Sequence, residues 1–251
     1  MANLTTLIPA VQESVVALLR IHLERPQKVK KEKVRPARFQ CSWGSGFCVV
    51  ADKYLITAFH LLNGGNGVQP RNPQDKFIAF VVPENEEKAF HFPVIGFPLE
   101  KPDLDLAILE IGPCSTQGIH LPGLAVTLTP QPTGTRVVTM GFPAPEIAEI
   151  NLDPQGNYLG GQFFLKSHAN EGIVSAHYTL GAFPIYEFNV GWHHGESGGP
   201  IVTQSEPATA FTLMQQYRNI QTPHGIVAGP HRGRGLYAIQ QELARLGVIH
   251  D

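Results

Sequence analysis

Residues 47–60 read Phe47-Cys48-Val49-Val50-Ala51-Asp52-Lys53-Tyr54-Leu55-Ile56-Thr57-Ala58-Phe59-His60. Two runs rich in β-branched and aromatic residues, Phe47 to Val50 and Tyr54 to Thr57, flank Ala51-Asp52-Lys53, which has the length of a hairpin connection. The second run leads to a histidine where a loop begins. The neighbourhood repeats this style. Phe77 to Val82 and Ala89 to Val94 flank the polar loop Pro83 to Lys88, and Leu104 to Ile111 reads as another strand. Upstream, Leu7 to Leu23 suits a short helix running into a strand. Beyond the turn-rich stretch Leu121 to Thr133, strands are expected at Arg136 to Met140, Gly161 to Leu165, Gly172 to His177, Pro184 to Asn189, Pro200 to Thr203, Phe211 to Tyr217 and Leu236 to Ile239. Gln240 to Leu246 suggests a terminal helix, with Gly247 placed to end it. Asn151 to Asn170 reads as a long mobile loop. Many short, evenly spaced strands imply an all-β barrel or sandwich architecture in two halves, 1–125 and 126–251.

Composition agrees. Gly (25) and Pro (21) are plentiful and charged residues are only 16% of the 251, which favours turns and strands over long helices. A formal net charge of −2 gives no field to draw nucleic acid or anionic lipid. The basic run Arg25, Lys28, Lys30, Lys31, Lys33, Arg35 and Arg38 is broken by Glu24 and Glu32 and lacks interleaved aromatics. It reads as a solvated loop rather than a nucleic-acid surface. The apolar run Val15-Val16-Ala17-Leu18-Leu19 has no basic head and is too short to span a bilayer. Cys41, Cys48 and Cys114 are odd in number without a Cys-x-x-Cys spacing, which fits reduced thiols better than a disulfide framework. The expectation is a cytoplasmic protein with no membrane anchor, metal or cofactor.

Three phrases carry chemistry: Gly44-Ser45-Gly46-Phe47 with Ala58-Phe59-His60 after it, Asp105-Leu106-Ala107-Ile108-Leu109, and Gly195-Glu196-Ser197-Gly198-Gly199-Pro200. A nucleophilic serine needs an exposed hydroxyl on a tight turn and backbone N–H groups aimed at the developing oxyanion. The glycines around Ser197 permit positive φ and a close approach. The N–H groups of Gly195 and Ser197 would form the oxyanion hole, a contribution of about 3–4 kcal/mol per donor. Asp105 sits between Leu104 and Leu106. A buried charge there needs hydrogen bonds, and orienting an imidazole is one use for it; a solvent-facing strand-edge aspartate is the other. Asp103, two residues earlier, is the rival carboxylate.

In the order His60, Asp105, Ser197, these phrases resemble the chymotrypsin/trypsin-like serine peptidases. Ala58-Phe59-His60 is similar to the family's Ala-Ala-His, Asp105 to Leu109 to its Asp-Leu-Ala-Leu-Leu, and Gly195 to Pro200 to its Gly-Asp-Ser-Gly-Gly-Pro. Gly172-Ile173-Val174-Ser175-Ala176, Gly141-Phe142-Pro143 and Gly235-Leu236-Tyr237-Ala238-Ile239 resemble the HtrA-like bacterial branch. The likeness spans roughly residues 12 to 247. It implies two six-stranded antiparallel β-barrels with a short C-terminal helix, His60 and Asp105 from the first and Ser197 from the second. His60 would act as general base, Asp105 would orient it, and Ser197 would attack a peptide bond without metal or cofactor.

The sequence also departs from the family pattern. Glu196 replaces the usual Asp or Asn, no Ile-Val-Gly-Gly-like start is present, and the chain ends too early for a PDZ domain. By family analogy Gly191 lies at the floor of the primary specificity pocket, with Trp192, His193, His194 and Tyr217 around it. An uncharged pocket for apolar side chains is the first expectation, and a histidine favouring acidic side chains the second. The expected partner is a protein or peptide substrate. Two alternatives stand beside a freely active enzyme: a catalytically silent peptide-binding or regulatory module, and a protease latent until an activating partner or ligand orders it.

Overall fold

A computed structural model describes residues 2–24, 28–29, 33–34, 38–83, 88–143, 145–181, 183–222 and 225–249. The side chains of 28–29, 33–34, 217–222 and 226–228 lie outside that description. Most of the basic run from Arg25 to Arg38 and the middle of the 83–88 loop therefore fall outside the described residues.

Helix α1 (Leu4–Gln12) is capped by the Asn3 side chain, which accepts the Thr5 N–H. The chain then enters β1 (Val15–Glu24), passes the two-residue strands β2 (Lys28–Val29) and β3 (Lys33–Val34), and continues as β4 (Arg38–Val50). After β5 (Tyr54–Thr57) comes a one-turn helix, α2 (His60–Asn63), then β6 (Lys76–Val81), β7 (Phe90–Lys101) and β8 (Leu106–Ile111). Six of these strands close into an antiparallel barrel in the order β1-β4-β5-β8-β7-β6.

Continuous apolar runs arise here because both faces of the strands are buried. Side chains alternate across a strand. Val16, Leu18, Cys48, Leu55, Ala79, Ala107 and Leu109 fill one core. Their neighbours Val15, Ala17, Leu19, Phe47, Ile56, Phe80 and Ile108 face a second core shared with the other half, alongside Val138, Met140, Val202 and Leu213.

The second half comprises β9 (Arg136–Gly141), β10 (Glu146–Leu152), β11 (Tyr158–Phe164), β12 (His168–Leu180), β13 (Phe183–Phe188), β14 (Pro200–Thr203), β15 (Ala210–Leu213), β16 (Gln216–Thr222) and β17 (Gly225–Arg234). Its main sheet has seven strands in the order β15-β14-β9-β12-β13-β17-β16. The sheet curls so that β15 reaches β17, where Thr212 Oγ1 donates to the Arg234 carbonyl at 2.7 Å. The all-β, two-part architecture stands, the second barrel being this curled sheet rather than six strands. Residues 121–127 cross between the parts. The Leu121 carbonyl accepts Asp52 N–H at 3.0 Å, and Thr127 N–H donates to the Ala210 carbonyl at 2.9 Å.

Several local expectations change. Asn151 to Asn170 is not a mobile loop. It contributes to the β10–β11 hairpin, turned by Asp153, whose Oδ1 accepts the Gln155 and Asn157 N–H groups. One side of the hairpin packs inward, with Phe163 at 4.8 Å and Tyr158 at 5.4 Å from the Phe80 ring centre; the strand expected at Gly161 to Leu165 overlaps β11, and the mostly exposed residues of β10 hid its partner. Leu236 to Ile239 is a 3₁₀ turn, because Leu236 and Ile239, three apart, bury on one side of it. It leads into α3 (Gln240–Arg245), where Glu242 pairs with Lys101 of the first barrel at 3.0 Å. Gly247, at φ +70°, follows as expected. The predicted strand Phe211 to Tyr217 breaks at Met214 and Gln215, and strand β8 begins only after Asp105.

Cys41, Cys48 and Cys114 are all unpaired. Burial pushes the Cys48 thiol up to about 12, so it holds almost no thiolate at neutral pH. Native protein treated with a thiol reagent should leave Cys48 unmodified while Cys114, half-buried, reacts. Unfolding in guanidinium should expose Cys48, as read by peptide mapping.

Candidate active site

The loop before β8 holds Asp105 in a left-handed conformation (φ 50°), capping the 3₁₀ turn Pro102–Leu104. Aspartate tolerates this region better than most residues, and such strain clusters at functional sites. The turn aims the nearly buried carboxylate at α2. Oδ1 accepts the His60 backbone N–H at 2.8 Å, and Oδ2 accepts from His60 Nδ1 at 2.9 Å. An ionised carboxylate only accepts, so Nδ1 carries the hydrogen and Nε2 keeps its lone pair. From the second half, Gln215 Nε2 donates to the Leu104 and Asp105 carbonyls at 2.8 and 2.7 Å, fixing the turn. Buried Ala58, Phe59 and Leu62 anchor α2 on either side of His60.

Ser197 sits in the turn before β14, gripped by Ser45 of β4. Ser45 N–H donates to the Ser197 carbonyl at 2.7 Å. Ser45 Oγ donates to the Gly195 carbonyl at 2.7 Å and accepts the Phe142 N–H at 2.8 Å. Gly198 has φ +89°, and a Cβ there would overlap the Ser45 carbonyl oxygen and Thr57 Oγ1. Gly195 also has positive φ (97°). Neither the Gly195 nor the Ser197 N–H is consumed by a hydrogen bond among the described residues. Glu196 is fully buried; Oε2 accepts the His193 N–H, while Oε1 has no hydrogen-bond partner.

His60, Asp105 and Ser197 line one cavity of 710 Å³ between the halves. Among the described residues no hydrogen bond joins Ser197 Oγ to His60 Nε2. The rival Asp103 lines the same cavity, but it is Asp105 that bonds the imidazole.

Of the residues expected around the substrate, Trp192, His193 and His194 line the cavity. Trp192 is at once 7% exposed and part of the core with Phe188, Phe211 and Met214. Gly191 stands beside His231, whose Nε2 would be 3.5 Å from a Cβ at that position. The Tyr217 side chain lies outside the described residues; its backbone pairs with His231. Among the described residues no three His, Cys, Asp or Glu side chains group as a metal site.

The model of the trypsin-like peptidase domain matches residues 44–207, a span that contains Ser45, His60, Asp105 and Ser197. The chain belongs to this family. Trypsin-like peptidase folds are also what its coordinates match. AlgW, an HtrA-type protease solved with a tripeptide, superposes with a TM-score of 0.57 at 16% identity, over 98% of this chain and 64% of that one. An AlgW variant with a tripeptide gives the same score over 99% of this chain and 64% of that one. Deg5 gives 0.53 at 16% identity, over 90% and 87% of the two chains. At that identity the likeness establishes the shared fold, and the chain spans 64% of the AlgW length. No curated protein matches the sequence.

Sequence reasoning missed Gln215, Arg234 and His231, and quoted Ser45 without a role. Ser45 had a visible signal, a serine between two glycines. The others had none, because their roles depend on which strand lies opposite. Ser45→Ala should cost about 1–3 kcal/mol in urea unfolding, since it strands the buried Phe142 N–H and the Gly195 carbonyl.

Burial, and then the charge of nearby His193, hold the His231 pKa below its ordinary 6.5. The folded state therefore binds this proton less readily than the unfolded chain. Stability should be full above pH 6.5 and decline as pH falls through the depressed folded value. His231→Gln should flatten part of that slope in denaturant titrations across the same range.

Proposed function

We propose that the chain is a serine endopeptidase in which Ser197 is the nucleophile, His60 the general base and Asp105 the group that orients it. The observation that carries this reading is the Asp105 carboxylate on His60 Nδ1, which leaves the Nε2 lone pair for the cavity that Ser197 lines. His60 takes the Ser197 Oγ proton as Oγ adds to the substrate carbonyl, and the imidazolium is stabilised by Asp105. The Gly195 and Ser197 N–H groups, uncommitted elsewhere, receive the oxyanion. The tetrahedral intermediate collapses as His60 gives its proton to the leaving amine. Water then cleaves the Ser197 ester by the same route in reverse. Gln215 serves as a positioning residue behind Asp105. Residues 1–125 supply the histidine and aspartate, and 126–251 the serine.

General-base catalysis requires Ser197 Oγ and His60 Nε2 within hydrogen-bond reach, about 2.6–3.2 Å. That bond is not made in the state described; catalytic hydrogen bonds often tighten only when substrate is bound, and a latent enzyme ordered by an activating partner is the second reading. The unpaired thiols agree with a reducing, cytoplasmic setting. A silent peptide-binding module is the competing outcome.

A fluorophosphonate probe should label the wild type on Ser197, and Ser197→Ala should abolish labelling. Asp105→Asn should leave the fold intact and lower kcat about ten-thousandfold, by analogy with triads in general. Complete processing of substrates by Ser197→Ala would sink the assignment.

A further inference from the structure

The cavity holding Ser197 carries a cation with no anion to meet it. Arg232 and Arg234 are two apart on β17 and so face alike. Across the strand pair Arg232 stands opposite Glu187 and Arg234 opposite Ile185. Arg232 is committed: its Nε donates to Glu187 Oε1 at 2.9 Å and its Nη2 to the Tyr178 hydroxyl at 2.8 Å. Arg234 has an apolar residue where Arg232 has a carboxylate. Among the described residues its guanidinium makes no ion pair and no hydrogen bond. It rests against the Phe183 ring, its Cζ 4.9 Å from the ring centre. The backbone beneath it is held firmly. Arg234 N–H donates to Gln215 Oε1 at 2.8 Å, and its carbonyl accepts from Thr212.

Arg234 lines the same cavity as Ser197 and His60. An unpaired, half-buried guanidinium is costly unless a ligand supplies the anion. The two walls are also charged differently. Asp103 and Asp105 belong to the first-half wall, and Asp105 is engaged by His60. The second-half wall offers Arg234 together with His193 and His194. Behind Trp192, burial and then the charge of His193 lower the His231 pKa; among the described lining residues of that wall Arg234 is the one that stays charged at any working pH.

We propose that Arg234 is a specificity-determining residue, and that the second-half wall of the cleft selects a peptide bearing an aspartate or glutamate near the scissile bond. For turnover this rests on the endopeptidase reading; for binding it does not. It differs from the apolar pocket expected first from sequence and shares the acidic preference expected second, but assigns it to Arg234, which lies outside every motif.

The test has two arms. Wild-type protein is incubated with a peptide library and cleavage sites are mapped by mass spectrometry. Ser197→Ala protein is titrated with a fluorescent glutamate peptide and with its glutamine twin. Acidic residues should be enriched near cleaved bonds, and the glutamate peptide should bind about tenfold or more tightly than its twin. Arg234→Gln should erase the difference in both arms, and Arg234→Lys should keep part of it. Thermal unfolding of Arg234→Gln should stay close to wild type, since the guanidinium has no polar partner among the described residues. Equal binding of the two peptides, or a preference that persists in Arg234→Gln, overturns the inference. Discrimination in the binding arm without any cleavage counts against an enzyme active on its own, is compatible with a latent one, and leaves this inference intact.

Discussion

The cleft depends on the contact between the Ser45 peptide of β4 and the turn that carries Ser197. Every polar group of Ser45 is engaged there: its N–H with the Ser197 carbonyl, its hydroxyl with Gly195 and Phe142, and its carbonyl with Thr57 Oγ1 at 2.6 Å. Ser45 and Thr57 are fully buried, so these bonds have no water to fall back on. The two sheets can approach this closely only because residue 198 lacks a side chain. A barrel strand is thereby placed against a turn from the other half of the chain, and the candidate nucleophile against the helix bearing His60.

Two further features reinforce that contact. The barrel strands bury both faces, one inside the barrel and one in a core shared with the second sheet, so the halves are joined over a broad apolar surface. The chain ends add to the joint: Ala2 N–H reaches the Gln204 carbonyl, and Glu242 of the last helix pairs with Lys101. Within this frame Gln215 links three parts at once. Its amide nitrogen holds the Asp105 turn and its amide oxygen holds the Arg234 backbone. The group that orients the imidazole and the cation on the far wall therefore share one support.

The same geometry separates groups that are tied down from groups left without partners. The Asp105–His60 pair is built from a strained turn and an anchored helix, with three hydrogen bonds to the carboxylate. The serine turn is held by its carbonyls, which leaves the Gly195 and Ser197 N–H groups and the Ser197 hydroxyl without partners among the described residues. Within the turn, Glu196 is fully buried, and one of its carboxylate oxygens has no hydrogen-bond partner among the described residues.

Much of this was legible along the chain. The apolar runs at 47–50, 54–57, 77–82 and 106–111 are strands because two-sided burial writes itself into consecutive residues. The His60, Asp105 and Ser197 phrases were visible because tight turns and close approaches demand particular residue types locally. Other features had no local signature. The β10–β11 hairpin, of which only Gly161 to Leu165 reads as strand, sets just Tyr158 and Phe163 against a distant Phe80. The 3₁₀ turn at Leu236 and a strand of four apolar residues look alike on the page. Gln215 and Arg234 acquire their roles from partners about a hundred residues away and from the strand opposite, respectively. The sequence by itself determined most of the strands and turns and the candidate reactive groups, since those follow from backbone sterics and burial within a few residues. Only the tertiary structure decided which polar groups meet and which charge is left unpaired, since both depend on distances between segments that no local pattern encodes.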